Sequence, residues 1–279
     1  MAIPRIVDSV INEYITLFNE HLPETIEGLY IHGSIALNAY VEDSSDIDFI
    51  TITNRPLAEK DSSALSYIHS TIAKKYKKPE LDGVYINWSD MGKLYTNSSD
   101  FNCKYQFYNN EKLCYGDYFN FNPVTWWVLK NNGINIIGPD PKDFEFDIQP
   151  QQLSSYVLRN MNTYWANRIK TAENSITDLV TMPTDKIDFE IEWNVLGLLR
   201  QFFTLKEYDI VSKLDAGEYG LTQIPVEWHS IIEEAMNIRK GIKVNIFSSD
   251  MERIDKTLRF SKFLITHCNS IIEKKISKI

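Results

Sequence analysis

Apolar residues recur every three or four positions from about residue 4 to residue 22, and this spacing predicts an amphipathic helix. Three short apolar runs follow, and their β-branched and aromatic residues predict strands: "GLYIHG", "DIDFITIT" and "LDGVYIN". Helical periodicity returns between these runs, in "SIALNAY" and in "LAEKDSSALSYIHSTIAKKY". Helices and strands that alternate in this way predict an α/β arrangement.

The pattern changes in the second half of the chain. Between about residues 90 and 121 the sequence is irregular and aromatic, and we predict no regular element there. The stretch "NPVTWWVLKNNG" has an Asn-Pro start and a glycine stop, which predicts a helix, and "INII" follows as a short strand. Beyond about residue 148 only helical periodicity remains. We therefore predict an α/β (α+β) domain with a short mixed sheet at residues 1–148, followed by an all-α helical bundle at residues 149–279.

Composition narrows the classes of function. The formal net charge of -9 argues against a nucleic-acid binder, because neutralising phosphates requires a basic surface. An acidic chain suits a small cationic partner better. The three cysteines, Cys103, Cys114 and Cys268, show no metal-ligand spacing and indicate free thiols in a reducing compartment. Because no apolar signal segment and no apolar stretch of membrane-spanning length is present, we expect a cytoplasmic protein without a membrane partner.

Two aspartates stand at the start of the second predicted strand. Side chains two residues apart in a strand share a face, so Asp46 and Asp48 would lie together. Two close carboxylates repel one another, and a hard divalent cation such as Mg²⁺ removes that repulsion. One element earlier, Gly33 permits close approach of a ligand and Ser34 opens a helix, which suits a phosphate group. The alternative interpretation is that Asp46 ends a loop and Asp48 is solvated.

A third acid begins the next predicted strand. If that strand neighbours the first two, Asp82 points toward the face of Asp46 and Asp48, where it could bind metal or act as a general base on a hydroxyl. Glu80, two residues earlier, is the competing candidate. The alternative interpretation makes Asp82 an exposed residue before a glycine turn.

Four stretches of the chain carry a resemblance to a known family: "GLYIHGSIALNAYVEDSSDIDFITI", "LDGVYINWSD", "NPVTWWVLKNNGINIIGPDP" and "VLGLLRQFFTLKEYDIVSKLDAGEYGLTQIPVEW". The first two resemble the Gly-Ser, Asp-x-Asp and third-carboxylate blocks of the nucleotidyltransferase superfamily related to DNA polymerase β. The last is similar to the helical-domain signature of the aminoglycoside adenylyltransferases that modify streptomycin and spectinomycin. The resemblance implies a nucleotidyltransferase domain at residues 1–148, with residues 149–279 forming the other wall of a cleft.

The resemblance also implies how ATP is bound. Asp46 and Asp48 would hold two Mg²⁺ ions on the ATP phosphates. The remaining nucleotide-binding residues implied by the family are Gly33, Ser34, Ser45, Arg200 and Lys213. The two cations of that set lie in the helical domain, where ordinary ion pairing is the alternative interpretation.

The residues that would face the acceptor depart in part from the family. Asp82 stands where the family usually has a glutamate base, and aspartate is one methylene shorter. Glu190 matches an acid that contacts the antibiotic, with Glu192 as the near alternative, and Trp193 replaces a polar residue. Tyr118 stands where some members have a tryptophan that lines the antibiotic pocket, and a core position is the alternative interpretation.

We therefore expect Mg²⁺-dependent transfer of AMP from ATP to a hydroxyl of an aminoglycoside-like antibiotic, with release of pyrophosphate. The chain shows no clear match to the Trp and Asp that relatives use for streptomycin, which favours spectinomycin. Two alternatives remain at this point: a nucleotidyltransferase acting on a protein or RNA end, or a nucleotide-binding homologue with weak catalysis. We expect the protein to be a monomer.

Overall fold

The computed structural model describes residues 3–94, 104–244 and 246–276. They form two compact units, Met1–Ile148 and Gln149–Ile279, called here the N-terminal unit and the helical unit. The predicted fold class, an α/β domain followed by a helical domain, is confirmed. No helix in these ranges is both long and apolar enough to cross a membrane.

The N-terminal unit is built on a sheet of six strands in the order β5-β4-β3-β2-β1-β6. The β2–β3 pair is parallel and the other pairs are antiparallel, so the sheet is mixed as predicted. The strands are β1 (Ile26–Ile31), β2 (Ile47–Thr53), β3 (Leu81–Ile86), β4 (Tyr105–Asn109), β5 (Lys112–Gly116) and β6 (Ile134–Ile137). The helices are α1 (Arg5–His21), α2 (Gly33–Ala36), α3 (Ser62–Lys75) and α4 (Pro123–Asn132).

The sheet separates two hydrophobic clusters. One contains the buried side chains of α1 and α3, with Tyr14 and Phe49 in ring contact at 5.5 Å. The other contains Trp126 of α4 together with Tyr30 and Val84. Helix cover on both faces explains why every residue of β2 except Asp48 is buried.

The prediction for residues 90–121 was wrong in part, because a hairpin of β4 and β5 lies there. The two strands are joined by Asn110 and Glu111, which both have positive φ angles, of 48° and 59°. Such angles at both central residues match the right-handed twist of a hairpin, and asparagine adopts them readily. Cys103 lies outside the described residues, whereas Cys114 and Cys268 are free thiols.

The helical unit packs its helices around α8. Its elements are α5 (Pro150–Asn160), α6 (Ala166–Asn174), α7 (Ile176–Leu179), α8 (Thr184–Glu207), α9 (Lys213–Gln223), α10 (His229–Arg239) and α11 (Asp250–Ile276). A π-helical turn, Met161–Trp165, joins α5 to α6. Glycines bring α9 close to its neighbours, because a Cβ on Gly217 would lie 2.6 Å from Met236 Cγ and one on Gly220 would lie 2.8 Å from Leu199 Cδ2.

Candidate active site

Gly33 and Asp48 meet where β1 ends and α2 begins. The backbone N–H of His32 donates to the Asp48 carbonyl at 2.9 Å. Gly33 has a φ of 63°, and a Cβ on this residue would lie 1.9 Å from Asp48 Oδ2. Only glycine therefore allows this carboxylate to lie against the start of α2. The Gly-Ser and Asp-x-Asp segments, separate in the sequence, are brought together here.

Three aspartates converge on this end of the β2–β3 pair. Asp48 and Asp82 are register partners on parallel neighbouring strands, so their side chains point to the same face of the sheet. Asp46 precedes β2 by one residue, and its side chain is 48% exposed, with one oxygen 3.9 Å from Lys78 Nζ. This arrangement supports the predicted grouping of the three acids.

The pKa of Asp82 is raised to about 7, first by burial and next by the neighbouring charge of Asp48. Asp46 and Glu80 raise the pKa further. Asn109 opposes the shift, because its Nδ2 donates to Asp82 Oδ2 at 2.6 Å and stabilises the charged carboxylate. A carboxyl group whose pKa lies near neutrality suits general-base chemistry on a hydroxyl.

Glu80, the competing base, lies just before β3. Its carboxylate accepts a hydrogen bond from Lys78 Nζ at 2.5 Å, and its backbone carbonyl accepts from Ile47 N–H at 2.7 Å. Glu80 is therefore engaged by a lysine outside the strand, whereas Asp82 stands in register with Asp48. This difference favours Asp82 as the base.

The carboxylates of Asp46 and Asp48 are of the kind, and of the number, that usually bind Mg²⁺ in proteins. Among the residues that the structure describes, no group of three or more His, Cys, Asp or Glu side chains is arranged to hold a metal ion by itself. Mg²⁺ does not need such a cage, since it is usually held by one or two carboxylates together with substrate phosphates and water. Asp46 and Asp48 are two carboxylates that could serve as hard oxygen ligands of this kind.

The two predicted serines occupy different positions. Ser45 is buried, and its hydroxyl accepts from the Val41 N–H at 2.9 Å, so it holds the loop before β2. Ser34 is half-buried in α2, and its carbonyl accepts from Ala39 N–H at 2.9 Å. Ser34 directly follows Gly33, whereas Ser45 is three residues before Asp48. Ser34 is therefore the serine next to the contact between Gly33 and Asp48.

Two aromatic side chains beside the site are buried. His32 is 8% exposed, and burial lowers its pKa to about 4, so it is a neutral packed residue. Tyr118 is 3% exposed and contacts Phe107 and Phe121. Its pKa is raised by burial and then by the charge of Asp82, so its phenol lies near the acids while its ring belongs to the core.

The predicted cations of the helical unit, Lys213 and Arg200, are half-buried, and each donates a hydrogen bond within that unit. Lys213 is the first residue of α9, and its Nζ donates to Glu192 Oε1 at 2.8 Å. The same oxygen accepts from Arg239 NH1 at 3.3 Å. Arg200 Nε donates to the Val211 carbonyl at 3.0 Å. Burial lowers the pKa of Lys213, and the charge of Glu192 opposes that shift.

Glu190, the predicted contact to the antibiotic, has a cation beside it within its own unit. Arg168 NH2 lies 2.6 Å from both carboxylate oxygens, and Asn194 Nδ2 donates to the Glu190 carbonyl at 2.6 Å. Glu190 also lines a small apolar pocket with residues such as Met182 and Leu258. An amine of a substrate would therefore share this carboxylate with Arg168.

Sequence reasoning missed Asn109, Arg168 and Arg239. Asn109 has only a weak local signal, because asparagines such as those in "YNNEKL" favour turns in general. The two arginines give no local signal, because each contacts a residue more than twenty positions away.

Comparisons with known proteins agree with the predicted family. Residues 167–262 match the family model "Aminoglycoside adenylyltransferase, C-terminal domain". The fold is similar to a crystal structure of spectinomycin adenyltransferase AAD(9) from Enterococcus faecialis with ATP and spectinomycin. The TM-score is 0.65 at 17% identity, over 92% of this chain and 98% of that chain. A search of curated protein sequences finds no match. Residues 167–262 are therefore similar to the C-terminal domain of aminoglycoside adenylyltransferases, and the chain shares the fold of a spectinomycin adenyltransferase.

Proposed function

We propose that the protein transfers AMP from ATP to a hydroxyl of an aminoglycoside-type antibiotic and releases pyrophosphate. The observation that carries the proposal is the placement of Asp48 against Gly33 and in register with Asp82. A phosphate-binding turn, two metal-ligand carboxylates and a base are the parts that this reaction needs. The match of residues 167–262 supports the substrate class.

Asp46 and Asp48 would hold magnesium, with two ions expected. When bound, the metal supplies positive charge that neutralises the phosphates and the departing pyrophosphate. Gly33 and Ser34 would contact the same phosphates, and Ser45 would contribute by shaping the loop that presents Asp46.

Asp82 accepts the proton of the acceptor hydroxyl in this proposal. The hydroxyl oxygen forms a bond to the α-phosphorus of ATP, and the bond from that phosphorus to the β-phosphate oxygen breaks, so that pyrophosphate leaves. Burial raises the pKa of Asp82 and so increases its basicity for the step, and Asn109 fixes one carboxylate oxygen so that the other can face the hydroxyl.

Arg200 and Lys213 would add positive charge at the departing phosphates. Glu190 and Tyr118 would contact the acceptor. We favour spectinomycin over streptomycin as this acceptor. The similar fold of AAD(9), whose crystal structure contains ATP and spectinomycin, supports that choice.

The test is pyrophosphate release from ATP and Mg²⁺ with spectinomycin, streptomycin and a panel of other aminoglycosides. We expect release to depend on an added antibiotic and to be fastest with spectinomycin. Asp48→Ala should abolish release, while Glu42→Ala, an exposed acid in the same loop, should leave it unchanged. If ATP and Mg²⁺ bind but no aminoglycoside is modified, the proposed substrate class is wrong.

A further inference from the structure

One carboxylate oxygen in the helical unit joins two cations from two other helices. Glu192 Oε1, on α8, accepts from Lys213 Nζ at 2.8 Å and from Arg239 NH1 at 3.3 Å. The side chains are 12%, 20% and 8% exposed, in the order Glu192, Lys213 and Arg239. Buried charges in proteins are normally paired, so this cluster is internally matched.

We infer that Glu192 and Arg239 are positioning residues for Lys213, which fix its ammonium group for the β- and γ-phosphates of ATP. The inference rests on the proposed function, in which Lys213 contacts those phosphates. Neither Glu192 nor Arg239 needs to touch the nucleotide, because both act through Lys213.

The backbone of Lys213 is already fixed by the packing of α9. Ser212 caps the helix, its hydroxyl accepting from the Asp215 N–H at 3.1 Å, and Gly217 holds α9 against Met236. What remains free is the four-carbon stem of the lysine, whose many rotamers would spread the ammonium over several positions.

The side chain is restrained from two sides. Glu192 binds the ammonium directly, and the ring of Trp193 lies 5.0 Å from Nζ in a cation–π contact. Arg239, the last residue of α10, binds the same oxygen of Glu192 and so limits the movement of that carboxylate. The cluster therefore links α8, α9 and α10 at the lysine.

If Glu192 acted on ATP only through its negative charge, its removal would have the opposite effect to the loss of a positioning residue. A carboxylate beside a phosphate-binding lysine repels a triphosphate, so its removal would tighten ATP binding. Two observations argue for positioning. Arg239 offsets the charge of Glu192, and burial lowers the pKa of Lys213 while Glu192 favours its charged form. Loss of Glu192 would thus leave the ammonium both less ordered and less charged.

The experiment compares equilibrium dissociation constants for ATP and for AMP, which lacks the β- and γ-phosphates, in the full chain with Mg²⁺. We expect Glu192→Gln to weaken ATP binding by about tenfold, the equivalent of one charge-assisted contact, and to change AMP binding less than about twofold. Arg239→Met should act in the same direction, and Arg239→Lys should restore part of the loss.

Glu234→Gln is the matched control. Glu234 is another buried carboxylate of the helical unit, but it accepts from Arg253 Nε at 2.7 Å rather than from Lys213. This variant should lower the melting temperature and leave the ratio of ATP to AMP affinity unchanged. If Glu192→Gln folds poorly, Glu192→Asp retains the charge at a shorter reach and should give an intermediate loss of ATP affinity.

Unchanged or tighter ATP binding in Glu192→Gln, or an equal loss for ATP and AMP, overturns the inference. Lys213→Met separates this failure from that of the proposed function. If Lys213→Met weakens ATP binding and Glu192→Gln does not, only the positioning role is wrong. If Lys213→Met leaves ATP binding unchanged, the proposed role of Lys213 fails, and the inference fails with it.

Discussion

Replacing Gly33 with alanine tests the contact on which the site depends. The added Cβ would lie 1.9 Å from Asp48 Oδ2 and 2.6 Å from its Cγ, well inside van der Waals contact. Either Asp48 or the start of α2 must move by an ångström or more. The φ of 63° adds a backbone cost of about 1–2 kcal/mol for a residue with a side chain.

The two effects can be separated with a control. Gly241 has a similar φ of 69°, but a Cβ there would meet nothing within 4 Å. Gly241→Ala should therefore carry the same backbone cost of about 1–2 kcal/mol without disturbing an acid. In Gly33→Ala the displacement of Asp48 should in addition lower kcat/KM for AMP transfer about a hundredfold, the typical result of misplacing a catalytic group by an ångström.

The assay measures thermal unfolding of both variants together with pyrophosphate release at varied ATP and Mg²⁺ concentrations. We expect both to be destabilised and only Gly33→Ala to lose activity. Activity near wild type in Gly33→Ala would refute the reasoning, because Asp48 would then not need its position against α2. Equal loss of activity in both variants would assign the effect to backbone strain alone.

Three further predictions concern the same unit. Asp82→Asn should leave ATP binding unchanged and stop AMP transfer; if Glu80→Gln does this instead, Glu80 is the base. Asn109→Leu should lower kcat about tenfold with KM for ATP unchanged, because Asp82 loses the contact that orients it; a change in KM alone would contradict this. His69 is buried beside Tyr85, and its pKa is lowered to about 3, so its stabilising effect is present above pH 6.5 and is lost as the pH falls. Between pH 7 and pH 5 the free energy of unfolding, measured by urea titration at each pH, should fall by about 2 kcal/mol more in wild type than in His69→Phe. An equal fall in the two proteins would exclude this role of His69.

Periodicity predicted most of the fold because burial repeats at fixed intervals along helices and strands. The hairpin of β4 and β5 was missed since β4 has aromatic residues on both faces and the turn uses Asn110 and Glu111 rather than glycine. Its absence from the prediction also concealed Asn109, whose position opposite Asp82 depends on the pairing of β4 with β3.

The parts of the candidate site that follow from the geometry of single strands and of neighbouring strands could be predicted from the sequence. Asp46 and Asp48 share a face by strand geometry, and Asp82 follows from the parallel pairing of β2 with β3. The partners of Glu190 and Glu192 were not predictable, because Arg168 and Arg239 reach them from other helices. Helical periodicity shows which face of a helix is buried but not which neighbouring helix covers it.

The central place of β2 has a consequence for how the protein would lose its activity. Backbone amides of β2 are bonded to strands on both sides and covered by helices on both faces. Amides in such a position exchange their hydrogens with solvent only when the whole unit opens. We therefore expect the amides of β2, the strand that carries Asp48, to be among the slowest of the N-terminal unit to exchange. Activity on heating should fall together with the global unfolding of this unit rather than ahead of it.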